Sequence, residues 1–155
     1  MEIYPSLISS NLLTLGETIK KLEPHCDGLH IDVMDDHFVP NLTWGPSFVS
    51  AINLATSLPL HVHLMVQEPQ VWVERLSLRR GDIFIFHIEA APLVQSKKII
   101  ESVKEKGWGV GLALNPSSTL EEVKDLLPAV DHILLMTVNP GFSGQSFMPE
   151  VLPKI

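Results

Sequence analysis

The sequence predicts an α/β protein whose parallel strands close into a (β/α)8, or TIM, barrel. Three observations carry that expectation. Short apolar runs alternate with amphipathic runs along the whole chain, and the apolar runs start about 23 to 32 residues apart, the repeat length of a strand, a helix and two loops. Polar residues fall at or just past the C-terminal ends of those runs: His30 and Asp32, His63, His87 and Glu89, Asn115, Asn139. An open doubly wound sheet concentrates its site at one switch point, whereas a barrel draws on nearly every strand, as here.

The apolar runs, read as strands, are Ile3–Ser9, Gly28–Met34, Leu60–Met65, Ile83–Ile88, Val110–Leu114 and Ile133–Val138. Ile83-Phe84-Ile85-Phe86-His87-Ile88 is rich in β-branched and aromatic residues, as expected of a buried parallel strand. Between the runs lie helical patterns. Leu15–Leu22 sets Leu15, Ile19 and Leu22 on one face. Val94–Lys106 turns Ile99, Ile100 and Val103 inward, and Gly107 closes it as a C-cap. Thr119–Leu127 opens on the capping pattern Ser118-Thr119-Leu120-Glu121-Glu122 and stops at Pro128. Met148–Ile155 reads as the first turns of another helix. Six strands are visible where such a barrel has eight. The expectation is therefore one domain, residues 1–155, forming the N-terminal part of a barrel with about six of eight βα units and with strands 7 and 8 absent.

Composition bounds the function. With 155 residues, 45% apolar and 19% charged, the chain suits a compact globule with a real core. A net charge of −7, with its eleven Lys and Arg scattered, excludes a basic nucleic-acid surface. No apolar stretch reaches the roughly 18 residues of a membrane span, and the N-terminus carries no signal pattern. The single cysteine, Cys26, excludes an internal disulfide, and nothing near it suggests an activating base. The expected location is the cytoplasm, with neither a nucleic-acid nor a membrane partner.

The chemistry starts at His30-Ile31-Asp32-Val33-Met34. Alternation along a strand puts His30, Asp32 and Met34 on one face. A buried His and Asp two residues apart must be paired, metal-bound or catalytic, because unpaired polar burial is costly. Leu60-His61-Val62-His63-Leu64-Met65 repeats the pattern one strand later. His30, Asp32 and His63 together make a three-ligand set for one divalent ion such as zinc, iron, manganese or cobalt. The alternative is that seven histidines place some at strand ends by chance, as read for His25, His37 and His132. The segment Met136–Gln145 runs from a strand into a loop with Gly141 and Gly144, whose backbone N–H groups can cradle a phosphate; G-x-x-G alone is also an ordinary turn. Ser6 can add a hydroxyl at the same mouth. A metal would polarise a carbonyl, Asp32 would take the α-proton, and Met34, Met65 and Met136 would wall a planar enediolate from water. That combination suggests an enolising phosphosugar enzyme.

At these residues the chain resembles the ribulose-phosphate 3-epimerase family. Pro5-Ser6-Leu7-Ile8-Ser9 is similar to the family's P-S-I-L-S and His30–Asn41 to H-x-D-V-M-D-G-H-F-V-P-N. His63-Leu64-Met65-Val66 matches H-L-M-V, Phe86–Ala90 resembles F-H-x-E-A, and Met136–Gln145 resembles M-S-V-N-P-G-F-G-G-Q. The resemblance implies a barrel of the ribulose-phosphate-binding type that interconverts D-ribulose 5-phosphate and D-xylulose 5-phosphate in the pentose phosphate pathway, usually as a homo-oligomer. It implies His30, Asp32 and His63 as metal ligands and Asp32 as one of two acid/base carboxylates. Ser6, His63, Gly141, Phe142, Ser143 and Gly144 would bind substrate, and Met34, Met65 and Met136 would form the apolar wall.

Four departures bear on activity. Asp36 stands where the family has glycine, and His61 where it commonly has aspartate. Ser143 replaces the third residue of G-F-G-G, a place where strain is expected if the loop requires positive φ. The D-G-G segment carrying the second carboxylate, which is also the fourth metal ligand, and the phosphate-binding G-S-A-I segment have no counterpart in this sequence. The expectation is a chain inactive by itself, with an open, marginally stable barrel edge. The alternatives are an inactive relative serving as a binding or subunit-interaction protein, and an epimerase of a related phosphosugar such as allulose 6-phosphate.

Overall fold

A computed structural model describes residues 1–154 of the chain. Five strands form one parallel sheet in sequence order: β1 (Leu29–Met34), β2 (Leu60–Met65), β3 (Ile83–His87), β4 (Gly109–Leu114) and β5 (His132–Leu135). Helix α1 (Leu15–Leu22) precedes β1, and α2 (Pro46–Ala55), α3 (Pro69–Arg75) and α4 (Leu93–Glu105) connect successive strands as far as β4.

The two faces of the sheet differ, and that difference marks a barrel wall. Leu29, Ile31, Val33, Leu60, Val62, Leu64, Phe84, Phe86, Val110, Leu112 and Leu114 share one buried cluster with Ile19, Val49, Ile52, Val73, Ile99, Ile100 and Val103 of the helices. A doubly wound sheet would bury both faces under helices. Here the opposite face carries a separate cluster, Ile83, Ile85, Ala113 and Leu134, with Met34, Val39 and Met65 forming a third near the C-terminal strand ends. The architecture is of the TIM-barrel type. Register sets Asp32, His63, Ile85, Gly111 and His132 at one level across all five strands. Gly111 leaves room at that level: a Cβ there would sit 3.0 Å from Ile85 Cγ1 and 3.4 Å from His132 Cβ.

The N-terminal ends of the strands are held by aspartates. Asp27, Asp82 and Asp131 precede β1, β3 and β5, and each accepts a backbone N–H from the preceding stave. Asp27 takes Ile3 at 2.8 Å, Asp82 takes Leu60 at 2.9 Å, and Asp131 takes Val110 at 2.9 Å. Asp82 also takes the Arg79 N–H at 2.7 Å, while the Arg79 guanidinium donates to the carbonyls of Thr56 and Leu58 at 2.7 and 2.6 Å.

Several expectations need correction. The run Ile3–Ser9 is not a ladder strand. Pro5 has no N–H to donate, Ser6 makes a single parallel bridge to His30, and the Ser6 hydroxyl caps a 3-10 turn over Leu7–Ser9. Its direction is still that of a sixth stave beside β1. The segment Thr119–Leu127 has its capping box but forms only a 3-10 turn, Leu120–Val123, with a second over Leu127–Ala129. Pro128 has no N–H to donate back along an α-helix, which leaves too little length for one before it. Met148–Ile155 is likewise a 3-10 segment, Pro149–Lys154, interrupted by Pro153; Ile155 lies outside the described residues. Helices α2 and α3 were not separated out by apolar periodicity, although both open with a proline in the first turn, a recognised start signal.

Candidate functional site

Alternation and register bring the first two strands' polar residues together. Asp32 lies opposite His63 in the β1–β2 pair. Its Oδ1 is 3.2 Å from His30 Nε2 and 3.1 Å from His63 Nδ1, and its Oδ2 accepts the Ser6 hydroxyl at 2.5 Å. Burial by itself would raise the Asp32 pKa. The hydrogen bonds and charge of His30 and His63 outweigh it and hold the carboxyl well below its ordinary range. His63 is fully enclosed, and burial lowers its pKa to about 4 against the pull of Asp32.

The donor set fits a divalent cation. His30, Asp32 and His63 each offer one ligand atom, all within 4.8 Å of one another. Metal–ligand bonds of about 2.0–2.2 Å in a tetrahedral arrangement place neighbouring ligands roughly 3.3 Å apart, close to the spacings seen here. His61 lies on the same interior face, stacked on Tyr4 at 3.7 Å, with its Nε2 buried and without a hydrogen-bond partner.

A cavity of about 250 Å³ opens beside this cluster. Ser6, Asp32, the three methionines Met34, Met65 and Met136, and loop residues Gly141, Phe142 and Ser143 all line it. His30, His63 and Gly144 do not. Asp32 is the one carboxylate among the lining residues. Asp35 turns to the loop instead, accepting backbone N–H groups from His37, Phe38 and Gln67 at 2.8–2.9 Å.

The Gly141–Gly144 loop is held from two sides. Asn41 Nδ2 donates to the Gly141 carbonyl at 2.7 Å, and Gln145 Nε2 donates to those of Asn139 and Phe142 at 2.6 and 2.8 Å. Gly141 has φ 124° and Gly144 φ 76°, so glycine is required at both. Ser143 does not adopt positive φ, which removes the expected strain there. The one non-glycine residue with positive φ among the described residues is Asp36, at 59°, where the family's glycine would sit without strain.

Sequence reasoning overlooked two parts of the surroundings. Thr43 Oγ1 donates to the Asp32 carbonyl at 2.7 Å and accepts the Met34 N–H at 2.9 Å, pinning the end of β1. Beyond His63 the polar contacts continue through His87 to Glu89. The spacing His87-x-Glu89 after β3 was visible as a polar strand end but carried no role.

The ribulose-phosphate 3-epimerase family's sequence model matches residues 2–155. The ribulose-phosphate 3-epimerase of Bacillus subtilis (strain 168) is 43% identical, covering 100% of this chain and 71% of its own length. That of Synechocystis sp. (strain PCC 6803) is 45% identical over 99% of this chain and 67% of its own. The chloroplastic ribulose-5-phosphate-3-epimerase of Arabidopsis thaliana is 41% identical over 99% and 55%, respectively. This chain belongs to the ribulose-phosphate 3-epimerase family of isomerases.

Proposed function

We propose that this chain carries the proton-abstracting half of a site that epimerises C3 of D-ribulose 5-phosphate to D-xylulose 5-phosphate. The observation that carries the proposal is Asp32, flanked by two imidazoles and a hydroxyl, at the wall of a cavity lined by three methionines and rimmed by a glycine loop. His30, Asp32 and His63 would hold a divalent ion (zinc, iron, manganese or cobalt). Bound there, the ion would supply Lewis-acid polarisation of the substrate carbonyl. The free oxygen of Asp32 takes the C3 proton, and the Ser6 hydroxyl steadies that oxygen. Met34, Met65 and Met136 present soft, apolar sulfur to a flat enediolate and keep water from it. The backbone of Gly141, Phe142, Ser143 and Gly144 would hold the phosphate, and His63, which lies behind the cavity wall, would act on the substrate through the ion it helps to hold.

Inversion needs a proton returned to the opposite face. Among the described residues no second carboxylate lines the cavity, so we infer that the chain alone has negligible epimerase turnover. The test is D-ribulose 5-phosphate in deuterated water with the metal-loaded chain, followed by NMR. Deuterium should enter C3 without D-xylulose 5-phosphate accumulating, and Asp32→Asn should stop that entry. Exchange that survives in Asp32→Asn would refute the base assignment, and rapid accumulation of the epimer would refute the one-sided site.

A further inference from the structure

Four polar side chains run in a line from the Asp32 cavity to the outside of β3 and β4. Asp32 Oδ1 meets His63 Nδ1 at 3.1 Å, His63 Nε2 meets His87 Nε2 at 2.8 Å, and His87 Nδ1 meets Glu89 Oε2 at 3.1 Å. His63 and His87 are both buried, so neither ring can turn to water for a partner. At its far end, Glu89 Oε1 accepts the Asn115 N–H at 2.7 Å and the Ser118 hydroxyl. Glu89 and His87 lie outside the lining of the Asp32 cavity.

Hydrogen-bond counting allows two polarities, because a carboxylate acceptor stands at each end of the line. A cation on Asp32 and His63 Nδ1 selects one of them, in which His87 donates from Nδ1 to Glu89. His87 then offers its Nε2 lone pair, and the 2.8 Å contact places the proton of His63 on its own Nε2. That leaves the His63 Nδ1 lone pair facing Asp32 and His30. In this polarity the His63–Asp32 hydrogen bond of the metal-free site gives way, and the gap without a proton is the one between His63 Nδ1 and Asp32. Two electron-rich atoms in contact there call for a cation. The opposite polarity would set a His87 lone pair against the Glu89 carboxylate.

We propose that Glu89, acting through His87, is a positioning residue that fixes His63 in the tautomer whose Nδ1 is free to bind a metal ion. This rests on the metal reading of His30, Asp32 and His63. Outer partners of ligating histidines commonly set ring orientation and tautomer in this way, and their loss typically lowers metal affinity about ten- to hundredfold. Neither residue needs to touch substrate for the effect.

The experiment uses the whole 155-residue chain. Co²⁺ affinity is measured by its visible absorption in competition with a chelator, and ring-nitrogen NMR reports which His63 nitrogen carries a proton. The wild type should show a proton on His63 Nε2. Glu89→Gln, whose amide can donate or accept, and His87→Leu should mix the His63 forms and weaken Co²⁺ binding about ten- to hundredfold. His87→Gln can accept from His63 and donate to Glu89, and should restore most of the affinity. Folding of each variant is checked by circular dichroism. An unprotonated His63 Nε2 in the wild type, or Glu89→Gln with wild-type affinity and ring signals, overturns the proposal. A wild-type chain that binds no Co²⁺ overturns the metal reading instead, and the nitrogen spectrum still decides the tautomer.

Discussion

The aspartates at the N-terminal strand ends allow a graded stability prediction. Asp82 is the buried member, and replacing it by alanine leaves two backbone donors without partners. One is the Leu60 N–H, fully enclosed at the start of β2. An orphaned buried donor costs about 1–3 kcal/mol. The second is the half-buried Arg79 N–H, for which about 1 kcal/mol is appropriate because water can reach it. The Arg79 guanidinium contacts to Asp82 are long, 3.4–3.5 Å, and its side chain is 36% exposed, so they add little. Asp82→Ala should therefore cost about 3 kcal/mol, or a fall in Tm of roughly 6–12 °C for a chain of this size.

The same reasoning sets an order among the three. Asp131→Ala strands one buried N–H, that of Val110, and should cost about 2 kcal/mol. Asp27→Ala strands only the exposed Ile3 N–H and should cost less than about 1 kcal/mol. Asp82→Asn retains one acceptor but turns its amide protons toward a second donor, so it should fall between Asp82→Ala and wild type. Urea unfolding followed by circular dichroism measures all four. An Asp82→Ala loss under about 1 kcal/mol, or a larger loss for Asp27→Ala, would refute the assignment of these carboxylates as strand-end clamps.

Three further predictions concern the site. Asp36→Gly removes the side chain from a residue at φ 59° and should stabilise the chain by about 0.5 kcal/mol after the unfolded-state entropy of glycine is subtracted, measured by urea unfolding; a loss would count against strain there. Gly141→Ala places a Cβ 3.3 Å from Val39 Cβ at φ 124°; the strained loop should lower the Tm and weaken D-ribulose 5-phosphate binding by calorimetry about tenfold or more, and unchanged binding would remove the loop from the phosphate site. Asp32→Asn should cost less in stability than Asp82→Asn by urea unfolding, because none of its partners is a backbone N–H that begins a strand; an equal or larger loss would count against that distinction.

The parts of the molecule legible in the sequence were those where one periodicity dominated. The alternation in His30–Met34 and Leu60–Met65 placed His30, His63, Asp32 and two methionines on the interior face, as found. Helix α1 took the expected bounds because its apolar residues recur strictly on one face of a charged helix. Helix α2, Pro-Ser-Phe-Val-Ser-Ala-Ile-Asn-Leu-Ala, is apolar on several sides and buries only Val49 and Ile52, so its pattern has no single period. The Ile3–Ser9 run failed because apolar content does not reveal where Pro5 and a capping serine end a ladder. The line through His87 and Glu89 was hidden for a different reason: its members come from β1, β2, β3 and the 3-10 turn after β3, and register brings the three strands' members together.

The partners of each carboxylate separate structural from chemical roles more sharply than burial does. Asp82 and Asp131 hold backbone N–H groups that begin strands, and Asp35 holds three that shape the loop after β1. A carboxylate so engaged cannot take up a proton or a ligand without releasing backbone. Asp32 is buried, as Asp82 is, yet it accepts nothing from the main chain; its contacts are the Ser6 hydroxyl and two imidazoles. Such partners can yield to a metal ion, a substrate hydroxyl or a transferred proton while the sheet stays intact. Glu89 stands between the two kinds, with one backbone donor, one hydroxyl and one imidazole. That mixture suits a group that must remain an acceptor in place while it sets the protons of the histidines in front of it. On this division the proposed acid/base work falls to Asp32, and the proposed orientation of the ring beside it to Glu89.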